Sequence, residues 1–204
     1  MKSILATLCL FAAASPLLAA EQVTLQLRSG SSRELQTVVI DLHPEAAPKT
    51  VENFQRLVRK GFYDGIAIHR VFPNYLVQTG DPRSRRKGRS GVGTGGPGYT
   101  VPPEIRLKTK RGAVAAARLP DKLNPARLSN GSQFFVLLKS DPKLDGNHTV
   151  FGTVSSGIEI LEAVSNRATD SNDSPVERTV IHKARLGAPV ESKAAPKVKR
   201  FWLF

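Results

Sequence analysis

Ile68-His69-Arg70-Val71-Phe72-Pro73-Asn74-Tyr75-Leu76-Val77-Gln78-Thr79-Gly80-Asp81 is the stretch on which the reading of this chain turns. Apolar and polar residues alternate on both sides of Pro73-Asn74, the pattern of two half-buried strands joined by a turn. The same period appears on the N-terminal side, where Val23, Leu25 and Leu27 share one face of Val23–Arg28. Gly30-Ser31-Ser32 is a turn signal and Leu35–Leu42 a second β-rich run, so these segments predict a hairpin. Pro44, Ala46 and Pro48 form a rigid connection to a helix with Val51, Phe54, Leu57 and Val58 on one face. Thr50 is its expected N-cap and Gly61 its end. Further strands are expected at Ile66–Phe72, Tyr75–Thr79, Gly112–Arg118, Gln133–Leu138, Thr149–Val154 and Val176–Leu186. A second helix over Gly157–Asn166 turns Ile158, Leu161 and Val164 inward. Short strands divided by turns, with two helices, predict a mainly β domain whose sheet closes into a barrel.

The chain has 204 residues, a formal charge of +13 and 40% hydrophobic residues, enough for one domain with its own core. With 23% charged residues and no repeat, disorder, collagen and coiled coil are excluded for the whole. The single cysteine, Cys9, excludes a disulfide framework and a cysteine-based zinc site. Residues 1–20 read as an export signal: Lys2, an apolar run from Ile4 to Ala14, then Leu18-Ala19-Ala20 before Glu21. Cleavage there would leave no thiol, which suits an oxidising space, and the expected location is the periplasm. The expected organisation is a signal at 1–20, a folded domain at 21–188, and a basic tail at 189–204 ending in Phe201-Trp202-Leu203-Phe204.

Several chemical signals fail on inspection. Gly91, Gly93 and Gly96 fit a GxGxxG pattern, but Pro97-Gly98 stands where the phosphate-binding helix would begin. His43, His69, His148 and His182 have no metal-ligand spacing, and no G-x-S-x-G elbow is present.

The stretch quoted first, together with Asn130-Gly131-Ser132-Gln133-Phe134-Phe135 and Leu144-Asp145-Gly146-Asn147-His148-Thr149-Val150-Phe151-Gly152, resembles the cyclophilins, the peptidyl-prolyl isomerases. Ala47-Pro48-Lys49-Thr50-Val51-Glu52-Asn53-Phe54 is similar to their first helix, and Gly93-Thr94-Gly95-Gly96 to their glycine-rich loop. The likeness runs over about residues 22–187, in the family's order. It implies a closed eight-stranded antiparallel β-barrel capped by two α-helices, with the site on its outer face. By position it implies that Arg70 is the catalytic arginine, flanked by Phe72, with Gln78 and His148 as polar groups beside a proline pocket walled by Tyr75, Leu76, Phe135 and Leu144. Ala117 and Arg118 fall where the family's backbone pairs with the bound peptide. Lys143 stands where the family often has tryptophan, so tight cyclosporin binding is not expected. No metal or cofactor is implied.

Those residue types suit a reaction that breaks no bond. An Xaa-Pro amide rotates over a barrier of ~18–20 kcal/mol. In the twisted state the proline nitrogen regains a basic lone pair. A fixed donor aimed at that nitrogen or at the carbonyl oxygen binds the twisted form better than the planar one. Arginine is always protonated and has several planar donors, and Gln78 is placed to fix it while supporting the peptide. Read from the residues alone, Phe135 and Leu144 also fit a core, Arg70 a surface strand, and His148 a structural role. Tyr75 and Leu76 are adjacent, so a shared pocket requires an irregular backbone at Pro73-Asn74.

The expected partners are proline-containing peptides and unfolded or exported proteins, met by a monomer. The alternative on the same barrel is a non-catalytic proline-binding module or holdase. Arg83, Arg85, Arg86, Lys87 and Arg89 crowd one loop, and Arg106, Lys108, Lys110 and Arg111 form a second cluster. They suggest weak contact with an anionic surface, to which the tail could add. Nucleic-acid binding is not expected, because these loops lack interleaved aromatics.

Overall fold

Alternation over residues 22–42 becomes a hairpin. The computed structural model describes residues 22–88 and 90–187. In it β1 (Gln22–Ser29) and β2 (Gln36–Leu42) pair antiparallel, with Val23 opposite Ile40 and Leu25 opposite Val38. The expected signal, the 189–204 tail and Arg89 lie outside the described residues.

Helix α1 (Pro48–Arg59) starts earlier than expected. Its N-cap is Ala47, and Thr50 lies inside the first turn, a correction to the sequence expectation. The cause is Pro48, whose fixed φ and missing N–H suit the first helical position. The donors left free there are met from elsewhere in the chain. The Glu104 carboxylate accepts from the Lys49 and Thr50 amides at 3.1 and 2.9 Å and from the Thr50 hydroxyl at 2.9 Å. A negative group at this end also complements the helix dipole.

The remaining elements are β3 (Arg70–Phe72), β4 (Leu76–Thr79), β5 (Ala113–Ala116), β6 (Phe134–Leu137), β7 (Val150–Ser156), α2 (Ile158–Ser165) and β8 (Thr179–Leu186). The strands form one sheet in the order β3-β4-β6-β5-β7-β2-β1-β8. On its inner side Phe54 of α1 meets Tyr63, Phe134 and Phe151 at ring-centroid distances of 5.1, 5.4 and 5.1 Å. Leu161 and Val164 of α2 are buried in the same core.

The barrel is not closed by a ladder, against expectation. It is an open half-barrel, mainly β and with two helices, whose sheet ends at β3 and β8. Only residues 70–72 of the expected Ile66–Phe72 strand pair with β4. The residues before them turn to β8: Gly65 donates to the Ile181 carbonyl (2.7 Å), Ile181 to Ile66 (2.8 Å) and Ile68 to Thr179 (2.9 Å). The outer edge of β3 meets a loop instead, its Val71 amide donating to the Asp173 carbonyl at 2.9 Å. The expected Val176–Leu186 strand starts only at Thr179, because residues 169–175 close a turn of their own through the Thr169–Pro175 bridge.

Glu104→Ala removes all three contacts at the start of α1. It is expected to lower the unfolding free energy by about 1–2 kcal/mol in urea denaturation, with an unchanged slope.

Candidate active site

A two-residue period assigns every side chain of β3, β4, β5 and β6 to one face or the other. Val71, Val77, Val114, Ala116, Phe134 and Val136 face the inner core. Arg70, Phe72, Leu76, Gln78, Ala113, Ala115, Phe135 and Leu137 are therefore left to the outer face. The register then aligns them: Arg70 is opposite Gln78, Gln78 opposite Phe135, and Phe135 opposite Ala115. Directly opposed residues share a face, so arginine, glutamine, phenylalanine and alanine form one row across four strands.

Apolar walls rise around that row. Tyr75, Leu76, Leu107 and Leu144 pack against a buried outer cluster containing Ala115, Ala117, Phe135 and Leu137. Tyr75 and Leu76 reach the same cluster because Tyr75 lies in the turn before β4. Asn74 adopts φ +52, and the Tyr75 amide donates to Phe72 at 3.0 Å. This is the irregular backbone that the shared pocket requires.

The Tyr75 hydroxyl donates to Asp141 Oδ2 at 2.5 Å. Burial, and then this bond, push the phenol up to about 12. The same bond, helped by the Lys143 amide, holds the Asp141 carboxyl below its ordinary value. Asp141 caps the short turn Pro142–Leu144 through that amide, and its carbonyl accepts from the Leu144 amide at 3.0 Å. One pocket wall thus anchors the turn that carries another.

His148 meets Phe135 edge-on, with centroids 5.1 Å apart and planes at 87°. Its Nδ1 lies 3.3 Å from the Ala116 carbonyl. A carbonyl only accepts, so Nδ1 carries the proton and Nε2 is left as an acceptor. Burial pushes its pKa below the ordinary histidine value; the Ala116 bond opposes this and the Arg118 charge adds to it.

Arg70 and Gln78 are neighbours, yet Gln78 does not hold the guanidinium, contrary to expectation. Arg70 lies over the Phe72 ring at 4.6 Å, and its Nε is 3.4 Å from Asp173 Oδ2. The Gln78 amide instead donates to Gln133 Oε1 at 2.9 Å. Gln133 in turn donates to the Gly93 and Gly95 carbonyls at 2.9 and 2.8 Å. Those two carbonyls fix which way the Gln133 amide points, and hence leave Gln78 Oε1 as an acceptor without a partner among the described residues.

The glycine loop is itself wound around a buried carboxylate. Asp81, fully buried, accepts from the Arg83, Gly93 and Gly95 amides at 2.7, 2.5 and 2.9 Å. A Cβ at Gly95 would sit 2.1 Å from Asp81 Oδ1, so no larger residue fits.

Ala117 and Arg118 part company. Both main-chain groups of Ala117 are already used, its amide by the Gln133 carbonyl and its carbonyl by the Asn130 amide. Its methyl is part of the pocket floor. The Arg118 N–H and C=O make no hydrogen bond among the described residues, and its side chain is pinned by the Asn147 carbonyl at 2.6 Å and Asp121 at 2.5 Å. Of the two, Arg118 alone has an open main chain for a peptide, which corrects the paired expectation.

Nothing in the sequence pattern marks Gln133, Asp141 or Asp173 as part of the site. Gln133 lies inside a quoted motif and its alternation with Phe134 is readable. Asp173 is 103 residues from Arg70, with no local signal linking them.

The basic clusters are partly spoken for. Arg83 donates to Thr94 Oγ1 at 2.6 Å, Arg85 to the Phe62 and Asp64 carbonyls, Arg106 to the Glu45 main-chain carbonyl, and Arg111 to the Glu162 carboxylate. Arg86, Lys87, Lys108 and Lys110 remain exposed. Among the described residues no group of three or more His, Cys, Asp or Glu side chains is placed to hold a metal ion. A crevice lined by Asn53, Phe54, Gly131, Ser132 and Phe134 lies on the inner side of the sheet, away from the row.

Tyr75→Phe is expected to return the Asp141 carboxyl toward its ordinary pKa in a carboxyl NMR titration and to cost about 1 kcal/mol of stability. His148, with its folded pKa lowered, contributes stability that is full above the unfolded pKa and lost as pH falls below it. Imidazole ¹⁵N shifts should accordingly show a neutral, Nδ1-protonated ring at pH 7.

The comparisons agree with this geometry. The family model for the cyclophilin type peptidyl-prolyl cis-trans isomerase/CLD matches residues 24–186. Peptidyl-prolyl cis-trans isomerase-like 1 of Aspergillus oryzae is 37% identical over 147 residues, which is 72% of this chain and 87% of that protein. Peptidyl-prolyl cis-trans isomerase B of Bacillus subtilis is 41% identical over 129 residues, 63% of this chain and 83% of that one. A cyclophilin type isomerase from Cryptosporidium parvum, solved in the presence of the dipeptide Ala-Pro, superposes with a TM-score of 0.69 at 26% identity, covering 82% of this chain and 99% of its own. With the family model spanning residues 24–186 and relatives of 37–41% identity covered over most of their length, the chain belongs to the cyclophilin-type peptidyl-prolyl cis-trans isomerase family.

Proposed function

We propose that this protein catalyses rotation about Xaa-Pro peptide bonds, with the proline ring seated among Tyr75, Leu76, Phe135 and Leu144 and the amide beside Arg70. The observation that carries this reading is the outer-face row, which sets a permanently charged donor across one strand from an apolar hollow. Apolar walls exclude water, and exclusion strengthens the field of the guanidinium.

The planar amide gives Arg70 only an ordinary carbonyl to contact. The twisted amide adds a pyramidal, basic nitrogen and a more localised C=O dipole, so the same donors bind it more strongly. An advantage of about 7 kcal/mol is worth five decades of rate at ~1.36 kcal/mol per decade. Gln78 supports this through its open Oε1, which accepts from a peptide N–H, rather than by gripping Arg70. The peptide backbone pairs with Arg118, whose N–H and C=O are open. The reaction moves no atom between molecules, and the chain's own residues supply every interaction it calls for.

The setting in which this operates is also proposed. The sequence of residues 1–20, read as an export signal, supports action on exported proteins in the periplasm. Exposed basic residues of the two clusters, among them Arg86, Lys87, Lys108 and Lys110, support weak attraction of anionic segments or surfaces, which salt would suppress.

Arg70→Ala is expected to lower catalysed isomerisation of a proline peptide at least tenfold with an unchanged unfolding midpoint. Exchange NMR on the peptide measures it. Wild-type turnover in that variant refutes the assignment, and peptide binding without any catalysis by the wild type favours the binding-module alternative.

A further inference from the structure

We propose that Asp173 is a positioning residue for Arg70, setting the direction in which the guanidinium presents its donors to the substrate amide; this rests on the role given to Arg70 above. The guanidinium is restrained in two ways. Its face lies over the Phe72 ring at 4.6 Å. Its edge, through Nε and Nη2, points to a single oxygen, Asp173 Oδ2, at 3.4 and 3.5 Å. A contact to the face fixes the plane and a contact to the edge fixes rotation within it. Nη1 is left without a partner among the described residues and so remains free to donate.

The loop holding Asp173 is built to deliver that carboxylate. Asp173 sits in the left-handed region, φ +59. Its amide donates to the Asp170 carbonyl at 3.2 Å, and the Asp170 side chain takes the Asn172 and Ser174 amides at 2.8 and 3.0 Å. The Asp170 amide closes the turn on Ser174 at 2.9 Å. The Asp173 carbonyl then accepts from Val71, the residue after Arg70, at 2.9 Å. Main chain and side chain of one residue therefore bind the strand and the side chain that it carries.

Physical chemistry favours orientation over charge cancellation as the outcome. Both side chains are nearly half exposed, at 47% and 44%, and exposed pairs at such distances interact weakly through water. An arginine on an edge strand, with nothing on its edge, would sweep through many rotamers. Ordering it before substrate arrives removes that cost from the transition state.

The test compares the full-length protein with Asp173→Asn, Arg70→Ala and the double variant on a proline peptide, separating kcat from KM. Asparagine tolerates the left-handed backbone but replaces the carboxylate oxygen that takes both Nε–H and Nη2–H with a neutral amide oxygen, a weaker acceptor that loosens the hold on the guanidinium edge. The expected result is a fall of about five-fold in kcat with KM and unfolding midpoint nearly unchanged, and no further fall when the change is added to Arg70→Ala. Activity equal to or above wild type in Asp173→Asn, or the same loss in the Arg70→Ala background, overturns the proposal. If Arg70→Ala is impaired while Asp173→Asn is not, positioning alone fails; if Arg70→Ala is fully active, the role of Arg70 fails first. A measurement on the wild type needs no variant: ¹⁵Nε relaxation should show Arg70 ordered like the pinned Arg118, and a freely rotating guanidinium refutes the idea.

Discussion

Register between β3, β4, β6 and β5 is the constraint on which the site depends. Because the side-chain period is two, a slip of one residue in any of these pairings would send Arg70 or Phe135 inward and a core valine outward. The inner face prevents it. Val71, Val77, Phe134 and Val136 are each buried in the main core, and exposing them would cost about 1.5–3 kcal/mol apiece. The row of outward groups is thus held in place by hydrophobic burial on the opposite side of the same strands.

Polar contacts complete what burial begins. Gln78, Gln133, the glycine loop and Asp81 are linked in one chain of hydrogen bonds from the outer face into the interior. At its inner end stands a carboxylate with no exposure, satisfied by three main-chain amides; leaving such a group unpaired would cost several kcal/mol. Close approach to Asp81 leaves no room for a side chain at Gly95, whereas of the glycines that mimic a nucleotide fingerprint Gly96 packs on Asn130 and Gly91 and Gly93 take positive φ. Tyr75 plays a comparable part on the other rim, where its hydroxyl ties the pocket wall to the turn bearing Leu144.

Local pattern carried most of the fold into view. Alternation in Val23–Arg28 and Tyr75–Thr79 matches the strands observed there, and the face Val51, Phe54, Leu57 and Val58 is buried in α1 as its spacing requires. What stayed hidden was non-local. Thr50 looks like a cap by type, but Pro48 starts the helix and Glu104, over fifty residues away, satisfies its amides. Strand number and likeness point to a closed barrel, whereas the ends of the sheet depend on where residues 65–68 and 169–175 turn. The same holds at the site. Arg70, Phe72, Tyr75, Leu76, Gln78, Phe135, Leu144 and His148 come together, but the partners of Arg70 and Gln78 are Asp173 and Gln133, which only the assembled sheet brings near.

The position of β3 has a consequence for how the molecule fails. This strand has three residues, lies at one margin of the sheet and is held on its far side by a loop rather than a neighbouring ladder. Marginal strands with few main-chain bonds open at lower free energy than the body of a sheet. Arg70 therefore rides on a segment that frays first, and warming would silence the enzyme while the greater part of its sheet still stands.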